Sequence, residues 1–296
     1  MQIKSVTKQV LLAALLNASE LCGQSYHTLA STGYYVGTGK DGKAIDNCFF
    51  RASLPLKMKN GNYLLLNPDL HRQSFSFDTG RHYTACKTGL VLAYLKMLKK
   101  GNMIGVVNVS NNYVEGSMSR STFQIGAGFL ITRPINKALK IKYGLYGNRE
   151  FFGALLVPLL GLDYKVSDKM RLYGVLPQNM KLEMKHKQWL RYGAVFETPL
   201  NTYWQSTVQN NRYIDQRQIL LGVFSDFYIT KHLVLQAVVK QPIFNSQKIF
   251  YSHQQYDMSV LGIGMGGSRN AQTEPQAFFQ HSTVFEMSLN YRIETE

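Results

Sequence analysis

Between Leu139 and His186, apolar and polar residues exchange places in twos. Ile141, Tyr143 and Leu145 share one face, with Lys140, Lys142 and Tyr146 on the other. Leu156, Leu160, Leu162 and Tyr164 oppose Asp163 and Lys165, and Met170 and Leu172 oppose Arg171 and Tyr173. Met180, Leu182 and Met184 then oppose Lys181, Glu183 and Lys185. A side-chain period of two belongs to a strand whose faces meet different environments. The stretch predicts four consecutive antiparallel strands, with turns at Asn148-Arg149-Glu150, Ser167-Asp168-Lys169 and Pro177.

The same pattern extends through the chain. Cys48, Phe50, Ala52, Leu54 and Leu56 alternate with Asn47, Phe49, Arg51 and Ser53, and Asn60-Gly61 is a strong hairpin signal. Phe123, Ile125, Ala127, Phe129 and Ile131 point outward, and Thr122, Gln124, Gly126, Gly128 and Thr132 inward. Further strands are predicted at 26–37, 63–77, 84–98, 103–111, 189–198, 217–229, 233–240 and 283–293. The sum is about fourteen strands, or twelve if a pair of inner segments is misread.

Short basic turns fall near Asn60, Gly101, Pro134, Asp168, Lys187 and His232, and longer links near Gly39, Gly80, Val114, Arg149, Gln209 and 241–281. The turn at Pro177 is short where the alternation expects a long one. Even strand number and alternating connection lengths predict an all-β, up-and-down antiparallel transmembrane β-barrel. A soluble sandwich also alternates. The barrel is preferred because apolar positions stay apolar on strand after strand, the opposite faces carry charges of both signs, and closure leaves no exposed edge.

Lys4 and Lys8 precede the apolar run Val10–Leu16 and a small, polar stretch, which predicts a signal peptide at 1–23 ahead of a single barrel domain at 24–296. The longest apolar run, Phe151 to Leu162, has 12 residues and contains Gly153, Pro158 and Gly161, too short to cross a membrane as a helix. The net charge of +15 invites nucleic acid, but the basic residues come in ones and twos without a dense tract. Outer-membrane lipid is the expected partner and nucleic acid is not. Cys22 leaves with the signal peptide. Cys48 and Cys86 are compatible with a disulfide or with two thiols.

The run YGLYGNREFFGALLVPLLGLDYKVSDKMRLYGVLPQNMKLE resembles a domain-of-unknown-function family of bacterial outer-membrane β-barrel proteins. The shared features are the stretch from Tyr146 to Gly153, that from Pro158 to Gly161, and Leu176-Pro177. The resemblance implies an exported barrel in a Gram-negative envelope. It carries no activity and no catalytic residues.

Seven scattered histidines form no metal-ligating pattern, so no metal, cofactor or catalytic residue is expected. A lipid- or peptide-hydrolysing barrel would need a nucleophile and base at one level, and only His71 with Ser74 or His281 with Ser282 offer themselves. The glycine-rich stretch Gly262 to Gly267 lacks the Lys-Ser/Thr ending of a phosphate loop. The sharper candidate is a lumen charge cluster: Lys140, Lys142, Arg149, Glu150, Asp163, Lys165, Arg171, Lys181, Glu183, Arg191 and Glu197. Asp163 and Lys142 are placed to pair across neighbouring strands. Ten basic and five acidic inward positions predict a positive interior. The leading expectation is therefore passive passage or binding of small solutes, anions among them. A structural or adhesion barrel using the 201–217 and 241–281 loops is the alternative, and an enzyme is third.

Overall fold

The computed structural model describes residues 26–38, 44–76, 82–206, 211–267 and 283–294. The signal peptide expected at 1–23 lies outside the described residues, as do the links 39–43, 77–81, 207–210 and 268–282.

One antiparallel ladder carries the chain around a closed wall. It begins with β1 (Tyr26–Thr38), a stave split into β2 (Ala44–Ala52) and β3 (Leu54–Lys57), then β4 (Tyr63–Ser76), β5 (His82–Leu98) and β6 (Gly101–Val114). It continues through β7 (Phe123–Pro134), β8 (Leu139–Glu150), β9 (Gly153–Lys165), β10 (Met170–Leu176) and β11 (Asn179–Lys187). β12 (Leu190–Glu197) is prolonged by β13 (Leu200–Gln205), and both pair with β14 (Arg212–Tyr228). β15 (Leu233–Tyr251) follows. Two three-residue segments, β16 (Met258–Val260) and β17 (Ile263–Met265), precede the last stave, β18 (Thr283–Glu294). β18 pairs with β1 from Tyr26↔Glu294 to Thr38↔Thr283, which closes fourteen staves into a barrel.

The distribution of polarity decides what surrounds this wall. Forty large apolar residues are exposed among the described residues, and thirty polar or charged ones are buried. Phe123, Ile125 and Phe129 face out at 55%, 58% and 43% exposure, whereas Thr122, Gln124 and Thr132 on the same stretch are buried. A water-soluble monomer rarely exposes a contiguous apolar patch beyond a few hundred Å². Here apolar side chains are exposed on almost every stave, so this face belongs in lipid. Trp189, Tyr192, Phe227, Tyr164 and Tyr291 stand exposed near the short-turn ends, as an interfacial aromatic belt requires.

The short turns at 58–62, 99–100, 135–138, 166–169, 188–189 and 229–232 all sit at one rim, with both barrel ends of the chain. In the first of them, Gly61 adopts φ +80°, the left-handed conformation a tight hairpin asks of its glycine. The opposite rim departs from expectation in two places. The link expected near Arg149 is a two-residue turn at Phe151-Phe152, because β8 keeps its alternation through Asn148 and Arg149 to Glu150. Both turn phenylalanines are buried, which explains why an apolar pair can serve as a turn. The turn at Pro177-Gln178 is as short as its sequence suggests, and the β10–β11 hairpin ends well below its neighbours.

Larger corrections concern the stretches read as polar loops. β13 lies in the excursion after Thr198, β14 starts at Arg212, and β15 runs to Tyr251. Cys48 and Cys86 are both free. They flank Arg72 on second-neighbour strands, Cys48↔Arg72 and Arg72↔Cys86. Two interstrand spacings of about 4.8 Å put them beyond the roughly 7 Å reach of a disulfide.

Val223, 61% exposed on β14, is well inside the apolar band. Replacing it with arginine is expected to lower the unfolding free energy of vesicle-folded protein by about 2–4 kcal/mol. Urea titration in phosphatidylcholine vesicles reads this directly, and an unchanged midpoint would place the outer face in water.

Candidate functional site

The interior is filled, not hollow, at the short-turn end. Tyr26 on β1 reaches the far wall, where its hydroxyl lies 3.3 Å from that of Tyr173 on β10 and donates to Glu183 Oε2 on β11 at 3.2 Å. Tyr173 donates to the same oxygen at 3.2 Å, and Arg191 Nη1 on β12 reaches Glu183 Oε1 at 3.3 Å. Arg292 on β18 donates to Asp226 Oδ2 at 2.5 Å, and Gln236 to Asp226 Oδ1 at 2.6 Å. The Arg292 guanidinium stacks 4.2 Å from the Tyr26 ring centroid. Ions removed from water are tolerated only with counter-charges and hydrogen bonds close by, and this layer supplies both.

Further pairs adjoin it, the first beside Glu183 in the ladder. Arg171 grips Asp163 with two bonds, Nε to Oδ1 at 2.6 Å and Nη2 to Oδ2 at 2.7 Å. Lys140 stands opposite Asp163 in the ladder, 3.9 Å away. Lys142, buried, stands opposite Gly161. The register thus puts Lys140, not Lys142, directly across from Asp163. Lys240 Nζ bridges Glu197 at 2.8 Å and Glu286 at 2.7 Å. On the other side of the barrel, Asp69 is approached by Arg51 and His71, each at 3.2 Å, and by Lys87 at 3.7 Å.

The structure brings most of the predicted cluster to the inner face but divides its roles. Asp163, Arg171, Glu183, Arg191 and Glu197 are paired inside, and Lys181 lies 5.9 Å from the Phe224 ring. Lys140 and Lys165 are about half exposed towards the short-turn rim, at 51% and 55%. Arg149 does not join them. Asn148 donates to Glu150 across their shared inner face, so Arg149 between them points outward and is exposed. His71 and Ser74, three residues apart on β4, fall on opposite faces and cannot form the nucleophile–base pair. Ser282 lies outside the described residues.

The other mouth is closed by part of the wall itself. Above Asn179↔Glu197 the strand that continues from β12 into β13 loses its neighbour β11, and above Lys240↔Val284, β15 leaves β18. A register shift sits at this level, between Ile219 and Leu220. Such a bulge bends and twists a ribbon. The freed three-stranded arm, made of β13 and the upper parts of β14 and β15, turns across the opening until Trp204 pairs with Tyr113 on β6.

Tyr213, Ile214, Asp215 and Gln216 are buried in succession, so both faces of the arm are covered. One face packs Tyr213, Phe250, Trp204 and Leu200 on Phe151, Phe152, Leu155 and Val157 of the β8–β9 wall. The other packs Tyr203, Ile214 and Ile249 on Ala85 and Val114 of β5 and β6, with Tyr35 and Tyr83. Each such side chain contributes roughly 1.5–3 kcal/mol through burial. A polar latch completes the closure. Glu150 accepts from Thr202 at 2.5 Å, Gln124 at 2.9 Å and Asn148 at 2.7 Å, and Asn112 holds Gln124 at 2.6 Å.

Because the β10–β11 hairpin is short, the upper edge of β9 would stand bare. β16 covers it in parallel, pairing Met258, Ser259 and Val260 with Ala154, Leu155 and Leu156. Tyr256 N donates to Phe152 O and Leu261 N to Leu156 O. Gly153, at φ +119°, lets the chain come this close, since a Cβ there would lie 2.1 Å from the Tyr256 carbonyl oxygen. Arg217 donates to Gly262 O and so ties this flap to the arm. The glycine stretch is thus a wall patch. Met258, Leu261, Ile263 and Met265 face outward from it.

A family model described as "Domain of unknown function (DUF6268)" matches residues 85–243. No curated protein matches the chain in sequence. Among solved structures, a ferric enterobactin receptor, PfeA, aligns at 11% identity and TM-score 0.29, covering 84% of this chain and 63% of that one. A Rh. blastica porin mutant aligns at 8% identity and TM-score 0.29, covering 89% of this chain and 99% of that one. Both superpositions are loose, and the barrel stands on its own strand pairing.

The buried Arg292–Asp226 pair supplies a test of the interior layer. Asp226→Asn leaves the guanidinium without its counter-charge and is expected to lower stability by about 3 kcal/mol. The loss should appear as a lower unfolding temperature of the heat-modifiable band on cold gels. An unchanged temperature would mean that this layer is hydrated.

Proposed function

The chain belongs to the domain-of-unknown-function family DUF6268, and we propose that it is an outer-membrane barrel forming a passage for small solutes, anions among them, that is shut at rest by its own arm. The observation that carries this reading is the arm. It turns into the mouth and packs on the β8–β9 and β5–β6 staves, held by side-chain packing and the Glu150 latch and not by an uninterrupted wall ladder. A segment held in this way can move while the ladder around it stays closed.

Export through the signal peptide at 1–23 and residence in the bacterial outer membrane belong to this reading. A closed barrel with an apolar outer band supports them. The preference for anions rests on the ten basic against five acidic positions expected to face inward, to which the fold adds Lys87 on one side and Asp69 and Glu150 on the other. Lys140, Lys142, Lys165, Arg171 and Lys181 form its proposed constriction. One observation favours a second reading, a non-conducting structural barrel: the Tyr26–Tyr173–Glu183 layer also fills the short-turn end. The adhesive form of that reading is weakened, because much of 201–217 and 244–251 lies within the mouth.

Planar-bilayer recording separates the two. Wild-type protein is expected to show rare, brief openings carrying more anion than cation current. Thr202→Ala with Trp204→Ala should raise the open fraction about tenfold, the equivalent of about 1.4 kcal/mol of latch and packing. Trp204→Cys with Tyr113→Cys, in a Cys48→Ser, Cys86→Ser background, should silence the current until a reductant is added. Silence from the wild type and from the weakened-arm variant alike would establish the non-conducting barrel.

A further inference from the structure

The net charge of +15 is not spread evenly over the folded molecule. Besides the inward-phased Lys140, Lys165 and Lys185, ten basic residues are exposed at or beside the short turns: Lys57 and Lys59, Lys96, Lys99 and Lys100, Arg133 and Lys137, Lys169, Lys187, and Lys231. Among the side chains described on this rim, the one exposed acid is Asp168. Asp168 is taken by Lys165 at 2.6 Å, and that ammonium holds its carboxyl below the usual carboxylate range. Pairs in the sequence thus become a ring, because each short turn contributes one to three cations to the same level. The opposite rim is mixed, with exposed Arg72, Arg120 and Arg149 beside Glu115 and Asp257.

The ring adjoins the belt where the apolar band ends. Lys187 Nζ lies 5.8 Å from the Trp189 ring, which stacks on Phe227 at 6.5 Å. Arg133 lies 5.9 Å from the Tyr143 ring, and His232 stands 5.8 Å from Tyr291. Aromatic rings of this kind mark headgroup depth, and long cationic side chains extend from it towards phosphate. A collar of uncompensated cations at that depth would repel itself unless anions neutralised it.

We propose that this collar is a binding surface for anionic phospholipid headgroups, which it gathers around the short-turn end of the barrel. The occupant is a lipid and not a soluble polyanion, because cations and lipid-exposed aromatics occur together at one level. The inference rests on insertion of the barrel into a bilayer and is independent of whether the lumen conducts.

The test uses full-length protein folded into phosphatidylcholine vesicles with or without about one third phosphatidylglycerol, then extracted into mild detergent for native mass spectrometry. Heat modifiability in both vesicle types first establishes insertion, so a failure to insert is distinguished from a failure to select lipid. Wild-type protein is expected to retain phosphatidylglycerol at least about fivefold over its bulk ratio, the scale of one basic residue near a charged surface. The quadruple variant Lys96→Gln, Arg133→Gln, Lys137→Gln, Lys187→Gln should lose that enrichment. Arg72→Gln, Arg120→Gln, Arg149→Gln on the other rim should keep it. Equal retention of the two lipids, or enrichment that survives in the collar variant, overturns the proposal. So does tight binding of a DNA duplex by inserted protein that shows no lipid preference.

Discussion

At the level of the apolar band no water reaches the backbone, so each amide and carbonyl must find its partner within the sheet. That requirement organises the molecule. It makes the β1–β18 pairing as necessary as any hairpin, although it joins the two ends of the barrel. It also explains why the bare edge of β9 is covered by a segment from a distant loop and not left open. The wall is continuous first, and everything else is arranged inside that condition.

Inside the wall the constraint reverses. Inward side chains of a barrel are polar by pattern, but in this one many are also shut away from solvent, and buried charges are met by counter-charges held on other staves. Arg171 on Asp163, Arg191 on Glu183, Arg292 on Asp226 and Lys240 between Glu197 and Glu286 all join different strands. Such pairs have little net stabilising effect, because desolvation cancels much of their attraction. Their geometry does impose register, since a one-residue slip would turn one member outward into lipid.

The wall was legible because its two faces meet solvents of opposite character. Phe123, Ile125 and Phe129 against Thr122, Gln124 and Thr132 show this contrast without help from tertiary structure. The arm was not legible for the same reason. Tyr213, Ile214, Asp215 and Gln216 have protein on both sides, so polarity need not alternate along them. Phe151-Phe152 failed to read as a tight turn because turn residues are expected to be polar and exposed, whereas this pair lies beneath the arm. Arg149 goes with it: a strand ending at a corner leaves its face undetermined, whereas β8 runs through to Glu150. Of the candidate site, Asp163, Arg171, Glu183 and Arg191 were found from their inward phase. Tyr26 and Thr202 were not, since their partners lie across the barrel and nothing local announces them.

The patch on β9 links the lengths of two distant parts of the chain. The β10–β11 hairpin stops at Leu176 and Asn179, and β16 occupies the space above it. Four extra residues on each arm of that hairpin would reach Leu156, claim the same edge of β9 and displace β16. A shorter 252–267 segment would leave that edge unpaired. Insertions at Pro177-Gln178 and deletions before Gly267 should therefore accompany one another among relatives, as compensating changes in a single covering.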